Sequence, residues 1–181
     1  MKKSILLVNF FLCIVLIFTV TSCGSGGGGG VGGRKGAGTN YNINGAVQKG
    51  PFVLGTTITI QELDQNLAPT GKTYSTETVD DLGKFTLQSI FTSPYVEITA
   101  SGYYFDEVVG LLSTAPLTLR AIACLSDSTN VNVNILTTLE KKRLVYLVQS
   151  GKTFSEAKIQ SEGEVLNIFA SSAESGGLLK G

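Results

Sequence analysis

The side chains with most capacity for chemistry fall in short stretches. Carboxylates stand in adjacent pairs at Asp80-Asp81 and Asp106-Glu107, and the second pair follows three consecutive aromatics, Tyr103-Tyr104-Phe105. Two carboxyls do general acid–base work only when they face each other across a substrate, and neighbours in a strand point to opposite faces. Neither pair therefore reads as a catalytic dyad: Asp80-Asp81 reads as a turn, and Asp106-Glu107 flanks the aromatic run. Hard oxygen ligands suit calcium, but the dense Asp/Asn spacing of a calcium loop is missing around Asp80, so no metal is expected. The aromatic run has two uses. Alternate rings could fill a core, or Tyr103 and Tyr104 could form an exposed stacking surface for a sugar or peptide. Histidine is absent from the chain. That removes Ser-His-Asp and Cys-His catalysis, His-containing zinc sites and the side chain best suited to proton transfer near neutrality. Ser-Lys or carboxylate chemistry is what stays open to an enzyme. The expectation is a non-enzymatic protein with no cofactor.

The elements that must position these residues are mostly strands. From Tyr41 to about Leu125 short runs alternate apolar and polar residues: "YNINGAVQKG", "TTITIQEL", "KTYSTETV", "KFTL", "PYVEITASGYY" and "PLTLRAIACL". Turn signals separate them, namely Pro69 and Gly71 in "NLAPTGK" and the aspartates and Gly83 in "DDLGKFTL". Such spacing without a helical period predicts a small antiparallel β-sandwich or barrel over 41–125. The pattern then changes. "NVNILTTLEKKRLVYLVQSG" places Ile135, Leu136, Leu139, Arg143, Tyr146 and Leu147 on one helical face. Asn134 is the expected N-cap and Gly151 the stop. "TFSEAKIQSEGEVLNIFA" opens on Thr153 and Glu156 at capping-box spacing and lines up Phe154, Ala157, Ser161, Val165 and Ile168. The short connection makes residues 126–170 an antiparallel α-helical hairpin, with 171–181 as a flexible tail or truncated end. Arg143 within an apolar stripe is expected either to snorkel to solvent or to find a carboxylate, Glu140 or one on the second helix.

The beginning of the chain carries an address. Lys2 and Lys3 precede the apolar run Ile5–Val20, which contains Asn9 and ends in small residues, a signal-peptide pattern over 1–22. Val20-Thr21-Ser22-Cys23 resembles the lipobox of bacterial lipoproteins, where the peptide is cleaved before an acylated cysteine; Val20 stands where leucine is usual. The resemblance implies that Cys23 is a lipid anchor to the membrane. Gly24, in place of aspartate, carries no retention signal, which favours the outer membrane and leaves the surface and periplasmic faces both open. Residues 23–40 are then lipidated cysteine and glycine-rich tether, whose reach over about 17 residues is on the order of 20–25 Å. Of 14 basic and 14 acidic residues, cleavage removes Lys2 and Lys3 and leaves a net charge of −2. No basic patch stands out, so nucleic acid is not an expected partner; an envelope protein or a glycan is. Cys13 leaves with the signal peptide and Cys23 is acylated, so Cys124 has no partner for a disulfide and reads as a small buried thiol.

"DDLGKFTL" followed by "YVEITASGYY" resembles the carboxypeptidase-regulatory-like, or transthyretin-like, β-sandwich domains. There an Asp-x-x-Gly-x-Phe turn precedes a strand and a later strand ends in Ala-x-Gly-Tyr. Asp80 has the family spacing to Gly83; Asp81 is one residue closer. "GAVQKGPF", "GYYFDEV" and "NVNILTTL" are also similar to a group of uncharacterised bacterial surface lipoproteins. The likeness covers about Asn44 to Phe169. It implies an accessory sandwich domain and carries over no catalytic residue. The function expected is a non-enzymatic surface, adhesion or scaffold module, with capture of a glycan or peptide by Tyr103, Tyr104 and Phe105 as the alternative.

Overall fold

The computed structural model describes residues 38–176, with 172–176 as backbone only. The signal peptide, Cys23, the tether before Gly38 and residues 177–181 lie outside the described residues. The described residues fold as nine strands and two helices: β1 (Thr39–Gln48), β2 (Thr57–Leu63), β3 (Pro69–Glu77), β4 (Lys84–Phe91), β5 (Tyr95–Gly102), β6 (Phe105–Asp106), β7 (Leu111–Leu112), β8 (Leu117–Cys124), β9 (Val133–Asn134), α1 (Ile135–Gln149) and α2 (Phe154–Gly176). Mainly antiparallel sheets followed by a helical hairpin is the architecture the alternation predicts. One sheet runs β4-β1-β9 and the other β3-β2-β5-β8, with β6 and β7 forming a separate small hairpin. The exception to antiparallel pairing is β9, which joins β1 in parallel through Val47–Val133 and Gln48–Asn134. This pairing, with Val131 also buried in the core, places residues 131–134 in the sandwich, beyond the expected boundary at 125. Helix α2 likewise continues past 170, to Gly176.

The core between the sheets follows from the period-2 patterning. Ile43 and Val47 of β1, Ile58 and Ile60 of β2, Phe85 and Phe91 of β4, Val96, Ile98 and Ala100 of β5, and Leu119 and Ala121 of β8 meet there. The open edge of β4 is covered by side chains of β3. Tyr74 Oη donates to the Ile90 carbonyl and Thr76 Oγ1 to the Thr86 carbonyl, at 2.8 and 2.9 Å. A strand edge whose carbonyls are already occupied is a poor template for aggregation.

The helical hairpin packs on the outer face of the four-stranded sheet. Leu144, Leu147 and Val148 of α1 and Ala157 of α2 meet Leu63, Leu67 and Ile122 in a second core. The buried face of α1 is not the one its most apolar stripe suggested. Leu139 and Tyr146 are more than half exposed, whereas Glu140, Leu144, Leu147 and Val148 are buried. Glu140 can face inward because α2 satisfies it: Ser161 Oγ donates to one carboxylate oxygen at 2.8 Å and Lys158 Nζ to the other at 2.7 Å. On α2 the expected face is buried from Ala157 through Val165, but Ile168 is exposed. The caps fall where the sequence puts them. Asn134 Oδ1 accepts from the Thr137 amide, Thr153 and Glu156 exchange hydrogen bonds, and Gly151 takes φ +97° to end α1. Arg143 forms a two-point pair with Glu164 at 2.7 and 2.8 Å, which holds its guanidinium above its ordinary pKa.

Candidate functional site

The end of the sandwich where β1 finishes is built from three connections. Residues 49–56 link β1 to β2, residues 78–83 link β3 to β4, and residues 103–116 contain the β6–β7 hairpin. Asp80 and Asp81 hold the second of these in shape. Asp80 Oδ1 accepts from the amides of Lys84 and Leu82, both at 3.0 Å, and these bonds keep its carboxyl below the usual range. Asp81 Oδ1 accepts from the Leu54 amide at 2.9 Å and so ties this turn to the first connection. Both aspartates are occupied as turn residues. That cross-link from Asp81 to Leu54 has no signal in the sequence, because it joins positions far apart in the chain.

The β6–β7 hairpin is clamped at its base. The Phe105 amide donates to the Pro51 carbonyl at 2.9 Å and the Val53 amide to the Tyr103 carbonyl at 3.2 Å. Gly50 fits against this clamp with no room for a side chain, since a Cβ there would lie 1.9 Å from the Phe105 carbonyl oxygen. Tyr104 turns inward, stacking on Phe52 with ring centroids 6.0 Å apart. Lys49 lies over its ring and donates to its hydroxyl at 2.8 Å, a bond that raises the Lys49 pKa. Tyr103 and Phe105 are the exposed rings of the run, each 43% accessible. Tyr103 and Tyr104 therefore do not present one stacking surface: Tyr104 anchors the hairpin.

The tip is a hydrogen-bonded turn with an apolar surface. Asp106 Oδ1 accepts from the Val108 amide at 3.0 Å, the Asp106 carbonyl accepts from the Gly110 amide at 2.8 Å, and Gly110 takes φ +70°. This turn projects Val108, 94% exposed, with Val109, Leu111 and Leu112 also more than half exposed. Sequence reasoning singled out the aromatics and missed these four aliphatic residues. Their signal was present in "EVVGLL", an apolar stretch around a glycine that a short buried strand would explain equally well. Asp106 is spent on the turn, and Glu107 lines a groove with Lys49, Lys84 and Leu82, so the two carboxylates do not converge on one point.

Ser161 and Lys158, one turn apart on α2, both donate to Glu140, and Ser161 is wholly buried. Among the described residues no cluster of three or more His, Cys, Asp or Glu could hold a metal. Cys124 is unpaired and half-buried. No known family model, curated protein or solved structure matches this chain.

Proposed function

We propose that this chain is a lipid-anchored cell-envelope protein whose sandwich is a non-enzymatic docking module, an adhesion or scaffold component, and that the β6–β7 hairpin is its docking element. The observation that carries this reading is the clamped hairpin with four exposed aliphatic side chains at its tip. Contiguous exposed apolar surface on a soluble fold marks interaction sites. Burying Val108, Val109, Leu111 and Leu112 in a partner would return about 1.5–3 kcal/mol each before the costs of association. A preformed turn lowers those costs, because little backbone is left to order on binding.

The placement of the hairpin fits a tether. Strand β1 starts at the end where Thr39 pairs with Phe91 and finishes at the end where the hairpin sits. A chain anchored through Cys23 would enter the sandwich at the end opposite the hairpin. The carboxypeptidase-regulatory-like resemblance is supported by the physics of the Asp-x-x-Gly-x-Phe turn. Asp80 closes it, Phe85 enters the core, and Gly83 takes φ +73° against the Val47 carbonyl, where a Cβ would approach to 2.4 Å.

The test is the double substitution of Val108 and Leu111 by aspartate in the full chain displayed on cells. Both side chains are solvent-exposed, so the thermal midpoint is expected to stay within about 2 °C of the parent. Adherence, or crosslinking to envelope partners, is expected to fall at least tenfold. Unchanged adherence with unchanged folding removes the hairpin from the function. The capture reading is favoured by the exposed rings of Tyr103 and Phe105 and is tested separately by replacing these two with alanine and measuring glycan and peptide binding.

A further inference from the structure

We propose that a second site lies in the cleft between α2 and the β8–β9 connection, and that it takes a single neutral sugar ring. The cleft has a volume of about 280 Å³ and is lined by Cys124, Asp127, Asn130 and Asn132 on one wall and by Phe154 and Lys158 on the other. That volume falls just below the roughly 300–1,000 Å³ of typical small-ligand pockets, so it holds one ring and not an extended chain. The proposal is independent of both the lipid anchor and the hairpin.

The wall of amides is a consequence of strand alternation. Val131 and Val133 point into the sandwich core, which turns Asn130 and Asn132 outward. The third asparagine of "NVNVN", Asn134, is consumed as the cap of α1. Asn132 Oδ1 accepts from the Ala46 amide at 3.2 Å, which fixes the carboxamide and leaves its Nδ2 to donate. The side chains of Asn130 and Asp127 make no hydrogen bond among the described residues, so donors and acceptors remain unspent at the rim. Phe154 opens α2 and leans on Tyr95 with ring centroids 5.3 Å apart, giving a fixed aromatic wall.

Charge selects the ligand class. Lys158 is held by Glu140 and Glu162 at 2.7 and 3.1 Å, so its charge is already compensated. Asp127 is the uncompensated charge on the amide wall, and an anionic ligand would be repelled. A polyol suits the set, since each hydroxyl both donates and accepts. Two carboxamides and a carboxylate can serve adjacent hydroxyls, while an aromatic wall takes the C–H face of a ring.

The test titrates the full chain in detergent with glucose, galactose, mannose and N-acetylglucosamine by saturation-transfer NMR. Alkylation of Cys124 by iodoacetamide is followed in parallel by peptide mass spectrometry. The expected result is saturable binding of at least one of these sugars in the millimolar range, with Cys124 alkylated at least threefold more slowly when it is bound. Asn130→Ala and Asp127→Ala are expected to weaken binding about tenfold with an unchanged thermal midpoint. No saturation by any of the four, binding undiminished in the variants, or tighter binding of glucuronate than of glucose overturns the proposal. The hairpin variant of Val108 and Leu111 should bind sugar as the parent does, which separates this site from the docking function.

Discussion

Glu62 ends the inward-facing row Ile58, Ile60, Glu62 and is wholly buried. Burial opposes its charge, but Thr92 donates from both its hydroxyl and its amide, Thr70 adds a third bond and Lys72 lies 3.7 Å away. Together these outweigh desolvation and hold the carboxyl below its ordinary value of 4.5. The unfolded chain therefore takes up this proton at a higher pH than the folded one does, so the stabilisation is complete above about pH 5 and declines as pH falls through the unfolded value. Asp80, Glu156 and Glu164 are shifted in the same direction and add to the slope. The thermal midpoint should be level from pH 5 to 7 and drop below about pH 4.5. Glu62→Gln should lower stability at pH 7 by about 1.5–3 kcal/mol, the worth of hydrogen bonds to a charged group, and flatten the acid slope. An unchanged slope in that variant would assign the acid sensitivity elsewhere. Glu140 differs: when its carboxylate is removed, Glu162 still pairs with Lys158 and the Lys158 carbonyl still accepts from Ser161, so Glu140→Ala should cost about 1–3 kcal/mol in urea denaturation.

At the scale of elements, glycines separate two kinds of constraint. A Cβ at Gly151 would meet nothing within 4 Å, so that glycine is required only by φ +97° at the end of α1. Gly45 has no such φ, but a Cβ there would lie 2.0 Å from the Val131 carbonyl and 2.8 Å from the Phe85 ring. Gly151→Ala should cost about 1–2 kcal/mol and leave the sandwich intact. Gly45→Ala should cost at least about 1–3 kcal/mol. It should also raise hydrogen exchange of the Asn44 and Val131 amides, whose bonds bridge β1 to the following segment. Equal exchange in the two variants would mean that the close approach at Gly45 is not what joins β1 to residues 130–134. The helix caps belong to the same scale, since Asn134, Thr137, Thr153 and Glu156 act within one turn of their own positions.

At the scale of the whole molecule, the tether offers a place to cut the folded domain from its anchor. Arg34 and Lys35 are the tryptic sites between Cys23 and Thr39, and the strand that follows them enters the sandwich opposite the hairpin. Brief trypsin treatment of intact cells should release the folded remainder into the supernatant if the domain is displayed on the surface. Retention until the envelope is permeabilised would place it in the periplasm and make a scaffold role the better description. The released domain should keep its thermal midpoint, because both hydrophobic cores lie after Lys35.

The local signals were legible in the chain alone. Alternation in β1, β2 and β5, prolines before β5 and β8, the Asp80–Phe85 turn and both helix caps each depend on residues within a few positions of one another. Period-2 burial leaves little freedom once one face is apolar. What tertiary structure alone decided are the choices between near-equivalent surfaces. Helix α1 carries two apolar stripes, and the one containing Glu140 is buried because α2 brings Ser161 and Lys158 to its carboxylate. Tyr103 and Tyr104 are chemically alike in sequence, yet Phe52 and Lys49, more than 50 positions away, turn one into an anchor and leave the other exposed. "EVVGLL" becomes a projecting tip because the clamp at Gly50, Pro51 and Val53 holds it off the core. In each case the deciding energy comes from partners distant along the chain, which pattern and propensity do not register.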